Sequence, residues 1–153
     1  MHLMKILKFY CLMLLLASFP LYGQSTSYQK QKAKKIEQGS PFTKIINREL
    51  PATIVYEDQE MIAFVPLKEQ AKVHLLIVPK KEIQTINEAD QEDALLLGKM
   101  LLLAGKLAKN NGIDQSGYRI SININEDAGQ SVFHLHMHIL GGNKLGPMVD
   151  RID

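Results

Sequence analysis

Three histidines near the C-terminus are the side chains of this sequence best suited to chemistry. His134, His136 and His138 alternate with apolar residues in the stretch FHLHMHILGG. Imidazole titrates near neutral pH, so it can act as a nucleophile, pass protons or bind a metal. Spacing two is the side-chain period of a β-strand, and it predicts a strand that carries all three rings on one face.

Two chemistries fit such a face. Zinc binds imidazole, and His74 offers a fourth ring. The outer two rings of the cluster, however, would lie about 13 Å apart along a straight strand, and residues 131–143 contain no Cys, Asp or Glu. Neutral imidazole also attacks phosphorus, while neighbouring histidines orient it and protonate a leaving group. The pattern favours the nucleophile and leaves a metal-binding protein as the alternative.

A loop of small and polar residues, NEDAGQS, lies directly upstream of the cluster. Its Asn125, Gly129, Gln130 and Ser131 offer amides and side chains that could hold phosphoryl oxygens. The loop on its own would be an ordinary turn. Its position before the histidines predicts a phosphate-binding site.

The N-terminus has the three-part pattern of a secretory signal. Lys5 and Lys8 precede an apolar run that ends near Gly23, and the run is short for a transmembrane span. We expect a signal peptide over residues 1–23 and export to a periplasmic or extracellular space. An uncleaved N-terminal anchor is the alternative. Residues 24–40 are predicted to be a solvated polar linker, and residues 41–153 to be the single domain.

Removal of the signal changes the composition in an informative way. The chain has 18 Lys and Arg against 16 Asp and Glu, and the signal removes two lysines and no acid, which leaves 16 against 16. A nearly neutral mature protein gives no reason to expect a nucleic-acid partner. Cys11, the one cysteine, is removed as well, so neither a disulfide nor a thiol nucleophile is expected.

The remaining pattern predicts an α+β fold in which a five-stranded antiparallel sheet carries one long helix. Strands are expected at residues 53–56, 61–65, 73–78, 118–124 and in the histidine segment, and a short helical turn at residues 41–48. Thr85 and Glu88 have capping-box spacing and predict the start of the long helix, while Asn110-Asn111-Gly112 predict its end. Its leucines extend well beyond one face, so we expect a homodimer built on this helix.

The chain resembles the histidine triad family, in particular its Hint-like nucleoside phosphoramidase branch. The likeness extends from Phe42 to Gly142 and includes KIINRELPATIVYED, VHLLIVPKKEI and NEDAGQSVFHLHMHILGG. It implies a purine nucleoside phosphoramidase or nucleotidyl hydrolase that works through a covalent nucleotidyl-histidine intermediate. It also implies a nucleotide substrate, a homodimer, and neither a catalytic metal nor a cofactor.

The resemblance implies a role for each matching residue. His136 would be the nucleophile, and His138 and Ser131 would act at the leaving group. His74 and His134 would orient the nucleophile through a buried hydrogen-bond relay. The nucleotide would be held by Asn125, Gly129, Gln130, Ser131, His136 and His138.

Two departures from the family pattern concern substrate recognition and metal binding. Pro66 stands where many members have an acid that binds the ribose hydroxyls, and Ser40 and Thr43 stand where many have zinc-binding cysteines. No structural zinc is therefore expected. The loss of the acid leaves open a second alternative, a nucleotide-binding module with little or no activity.

Overall fold

The structure, a computed structural model, describes residues 25–148. Its three α-helices are α1 (Thr26–Glu37), α2 (Pro41–Ile46) and α3 (Ala94–Asn110). Its five strands are β1 (Thr53–Glu57), β2 (Met61–Val65), β3 (Val73–Pro79), β4 (Tyr118–Ser121) and β5 (Met137–Gly141). The expected signal peptide lies outside the described residues, and within them no helix is long and apolar enough to span a bilayer.

All five strands form one antiparallel sheet in the order β1-β2-β3-β5-β4. This confirms the predicted α+β fold with a five-stranded sheet. The histidine segment enters the middle of the sheet, where Leu76 of β3 and Ser121 of β4 flank His138. A central strand is held by hydrogen bonds on both sides, so it is a rigid base for a site.

The two faces of the sheet have different partners, because successive side chains of a strand point to opposite faces. Leu75, Ile77, Met137 and Ile139 pack against α3 in the larger core cluster. The alternate residues Ile62, Phe64, Leu76 and Val78 pack against Phe42 of α2 on the other face. His74 and His138 lie on this second face, which is therefore the face of the site.

The long helix begins later than the sequence predicts. Thr85 is an N-cap whose hydroxyl accepts from the Asn87 N–H and donates to the Glu88 carboxylate, but the element that it caps is a short 3₁₀ turn, Ile86–Glu88. Asp90 then caps a second 3₁₀ turn with a capping box to Asp93, and α3 starts only at Ala94. The predicted start at Thr85 is wrong because two separate caps divide this region.

The histidine strand is also shorter than predicted. β5 starts at Met137, so His134 and His136 precede it in non-strand backbone, and only His138 is a strand residue. The backbone N–H of Leu135 donates to Ile83 O at 2.5 Å. This contact ties the segment to the loop after β3. Likewise β4 ends at Ser121, three residues before the predicted end.

The expected polar linker is mostly a helix. Ser25 caps α1, whose side chains are largely exposed, in keeping with the polar composition of the segment. Along one side of α1, Tyr28, Lys32 and Lys35 contact the loop before the histidines. A segment expected to be a spacer is thus packed on the domain.

Candidate functional site

His136 is buried with one ring nitrogen bonded to the backbone. Its Nδ1 lies 2.8 Å from the carbonyl oxygen of His134. Because a carbonyl only accepts hydrogen bonds, Nδ1 carries the hydrogen and Nε2 holds the lone pair of the neutral ring. Nε2 is then the nucleophilic atom, and it makes no hydrogen bond to the described residues.

A directed chain of hydrogen bonds fixes the tautomer of His138. The backbone N–H of Gln70 donates to His74 Nδ1 at 3.1 Å. His74 must therefore carry its hydrogen on Nε2, which lies 3.0 Å from His138 Nδ1. That leaves the hydrogen of His138 on Nε2. This Nε2 is buried and has no partner among the described residues, so it is a donor available to a ligand.

The environment keeps these rings neutral. Burial is the main reason that the pKa of His74, His134 and His136 lies below the usual value. Burial, together with the neighbouring His136 and His74, lowers the pKa of His138 to about 4. Two neutral rings with centroids 5.1 Å apart thus present a lone pair on His136 and a hydrogen on His138.

His134 has both ring nitrogens engaged in hydrogen bonds. Its Nε2 lies 2.7 Å from the Pro79 carbonyl oxygen, so it donates there. Its Nδ1 accepts from the Ser40 hydroxyl at 3.2 Å. Thr43 Oγ1 lies 3.4 Å from the same nitrogen, but its hydroxyl donates to the Glu82 carboxylate at 2.9 Å.

The resemblance implied that His74 and His134 orient His136 through a buried hydrogen-bond relay. In the structure the His74 ring bonds to His138, and His134 reaches His136 through its backbone carbonyl. The part played by the carbonyl cannot be read from the sequence, because a carbonyl oxygen is present at every position.

The upstream loop is held by its own hydrogen bonds. Gln130 is buried, and its side chain accepts from the Asn125 N–H at 2.9 Å and donates to Gln84 O and Val132 O. The N–H groups of Gly129 and Gln130 donate to Glu126 O and Asn125 O. These bonds organise the loop and leave the Asn125 side chain and the exposed Ser131 as its groups open to a ligand.

An apolar cavity of about 820 Å³ opens on the same face of the sheet. Phe42 lines it and also contacts the His136 ring edge-on, with centroids 5.1 Å apart. None of the described residues that line the cavity is charged, and Pro66 is part of its wall. Its size and lining suit a flat organic group such as a nucleobase. The other lining residues are Pro41, Ile45, Leu50, Pro51, Ala52, Thr53, Phe64, Val65, Leu67, Leu76 and Val132.

Sequence reasoning missed this cavity, because its residues come from separate stretches that each look like ordinary core. It also missed the contacts from α1. The alternation of histidines with apolar residues did locate the catalytic candidates.

Within residues 25–148, no group of three His, Cys, Asp or Glu side chains has the arrangement that holds a metal ion.

Comparison with known proteins adds the family. The model of the HIT domain matches residues 47–145. The chain is 46% identical over 108 residues to the purine nucleoside phosphoramidase of Escherichia coli K12, across 71% of this chain and 91% of that protein. It is 44% identical to a HIT family hydrolase of Legionella pneumophila, with a TM-score of 0.69 over 71% of this chain and 96% of that one. A HIT family hydrolase of Clostridium thermocellum is also 44% identical, with a TM-score of 0.70 over 73% and 97%. A matching family model, a shared fold and identity at this level make the chain a member of the HIT domain family.

Proposed function

We propose that this protein hydrolyses purine nucleoside phosphoramidates and related nucleotides substituted at the α-phosphate. The observation that carries the proposal is the pair of open ring nitrogens beside an apolar cavity. His136 offers a lone pair and His138 offers a hydrogen, and each state is fixed by hydrogen bonds. The name of the Escherichia coli relative supports purine nucleosides as the substrate class.

In the first step, His136 Nε2 attacks the α-phosphorus and the bond from phosphorus to the leaving nitrogen breaks. His138 Nε2–H donates a hydrogen bond to the leaving nitrogen as negative charge develops there, and that nitrogen takes its proton from solvent. The product is a free amine and a nucleotidyl group on His136. The His134 carbonyl accepts from Nδ1–H and stabilises the positive charge that the ring acquires.

In the second step, water attacks the same phosphorus and gives up a proton to solvent. The bond from phosphorus to His136 Nε2 breaks, which releases the nucleotide and restores the neutral ring. The nucleoside lies in the apolar cavity, where Phe42 connects the base site to the nucleophile. Because Pro66 supplies neither charge nor a hydrogen-bond donor, ribose recognition must rest on other groups. We therefore expect weak discrimination between ribose and deoxyribose.

The deciding assay is turnover of adenosine 5′-phosphoramidate, followed by chromatography of the AMP released. We expect steady turnover by the unmodified protein and none by His136→Ala. Binding of AMP without turnover would contradict the proposal and favour a nucleotide-binding module.

The proposed reaction needs no catalytic metal. The Nδ1 atoms of His136 and His138 are engaged by a carbonyl and by the His74 ring, which leaves the two Nε2 atoms for the substrate. Turnover is expected to be unchanged by a chelator. Activity that a chelator abolishes and zinc restores would contradict this.

We further propose that the protein acts as a homodimer through α3 and is exported. Leu95, Leu101 and Leu102 of α3 are 69%, 54% and 79% exposed, which is much apolar surface for one helix to leave in water. Export rests on the charged and apolar pattern of residues 1–23.

A further inference from the structure

Helix α1 precedes the residues that match the HIT domain model, yet it is attached to the loop of the site. Ser25 donates to the Glu126 carboxylate from its N–H at 2.8 Å and from its hydroxyl at 2.6 Å. Tyr28 packs edge-on against Phe133, with ring centroids 6.0 Å apart. These contacts hold α1 against both ends of the segment 126–133.

Lys32 lies at the centre of this contact. Its Nζ donates to Asn125 Oδ1 at 3.3 Å and lies 5.3 Å above the Phe133 ring. Glu88 Oε1 is 4.0 Å away, and the Lys32 side chain is only 18% exposed. A lysine enclosed in this way has lost most of its freedom, so its ammonium group is a fixed donor.

A fixed ammonium group determines which way the Asn125 amide points. An ammonium group only donates hydrogen bonds, so it pairs with the oxygen of the amide and repels the NH₂ group. Asn125 Nδ2 then faces away from Lys32 and donates to none of the described residues. The Asn125 backbone is fixed as well, in the left-handed region with φ of 60°, and its N–H is held by Gln130.

We propose that Lys32 is a positioning residue of the site, which holds Asn125 so that its Nδ2 donates to the bound nucleotide. The inference rests on the proposed function, because it takes a nucleotide as the ligand of this loop. The positive charge beside Oδ1 also polarises the amide, which makes Nδ2 a stronger donor. Lys32 acts through Asn125 and does not itself touch the substrate.

The test is a double-mutant cycle between these two residues. Lys32→Met keeps the apolar stem on Phe133 and removes the donor, while Lys32→Arg keeps a charged donor. Asn125→Gly removes the amide and tolerates the left-handed backbone. Lys34→Met is the matched control, since Lys34 is an exposed lysine of the same helix. Each protein is assayed for kcat and KM with adenosine 5′-phosphoramidate, for AMP affinity by calorimetry, and for thermal stability.

Lys32→Met should weaken AMP binding and raise KM about fivefold, because the Asn125 amide is then free to rotate and Nδ2 no longer points only toward the nucleotide. Lys32→Arg should restore most of this loss, and Lys34→Met should cause none. In the Asn125→Gly background, Lys32→Met should have no further effect, because its partner is already absent.

An equal loss in the Asn125→Gly background would overturn the inference, because it would show a general effect of charge or folding. Identical behaviour of Lys32→Met and Lys34→Met would overturn it too. If the unmodified protein binds AMP without turnover, the proposed hydrolase function fails. The double-mutant cycle, measured as AMP affinity, still decides the role of Lys32. Absence of both binding and turnover would overturn both.

Discussion

At the scale of single residues, the histidines differ in which ring nitrogen the protein occupies. A carbonyl takes the hydrogen of His136 Nδ1, and the His74 ring supplies one to His138 Nδ1. The same side chain therefore offers a lone pair at one position and a hydrogen two residues later. His134, bonded on both nitrogens, connects the segment to Ser40 at the start of α2 and to the Pro79 carbonyl at the end of β3.

His138 should matter most when the leaving group is poor. A preorganised hydrogen-bond donor at the atom where charge develops is typically worth about 100-fold or more. His138→Ala is thus expected to slow hydrolysis of an alkyl phosphoramidate about 100-fold, and that of an aryl phosphate ester about tenfold or less. Steady-state rates on the two adenosine substrates would measure this, and equal losses on both would argue against a donor role.

The low pKa of His138 also predicts how stability depends on pH. The unfolded ring binds a proton below its ordinary pKa near 6.5, whereas the folded ring resists protonation down to a pKa of about 4. Stability is therefore complete above pH 6.5 and is lost as pH falls from 6.5 toward 4. Between pH 7 and pH 5 this one group contributes a loss of roughly 2 kcal/mol.

Urea unfolding at pH 7 and pH 5 would measure that loss. In His138→Asn the difference between the two pH values should be smaller than in the unmodified protein. An equal difference in both proteins would show that other groups account for the pH dependence.

At the scale of elements, α3 is expected to form the dimer interface through its exposed leucines. A charge buried at an interface is costly, so Leu102→Glu should shift the protein to monomer. Val55→Glu is the matched control, because Val55 is also an exposed apolar residue but lies on β1. Light scattering after size exclusion would report the mass, and a monomeric unmodified protein would contradict the prediction.

Which elements could be predicted from sequence depended on where their stability arises. β1, β2 and β3 have nearly the predicted bounds, because alternation and burial are local patterns. The predicted start of β5 was wrong, because other contacts hold residues 134–136. The Leu135 N–H donates to Ile83 O, and the His136 ring bonds to the carbonyl of His134. Helix α1 was missed because distant contacts help to hold it. Ser25, for example, bonds to Glu126, which lies 101 residues later in the chain.

The site was predictable to a similar degree. The histidines and the loop stood out by residue type and spacing, and the structure brings His74 of β3 to His138 of β5. The apolar cavity did not stand out, because Phe42, Pro66 and Val132 come together only in the folded chain. The tautomers were equally hidden, since they depend on backbone groups.

At the scale of the whole molecule, the chain joins a HIT domain to an N-terminal segment with the pattern of an export signal. We expect cells that produce the full chain to export it and to cleave it near Gln24. N-terminal sequencing of the protein from an extracellular or periplasmic fraction would show this. An intact Met1 in the cytosolic fraction would be the opposite result.

The central claim is that His136 forms a bond to phosphorus during turnover. The most direct measurement is to mix the protein with adenosine 5′-phosphoramidate, quench it within milliseconds, and map the adduct by mass spectrometry. We predict an adenylyl group on His136 that forms and decays at rates consistent with turnover, and none in His136→Ala. An adduct on another residue, or full turnover by His136→Ala, would contradict the account.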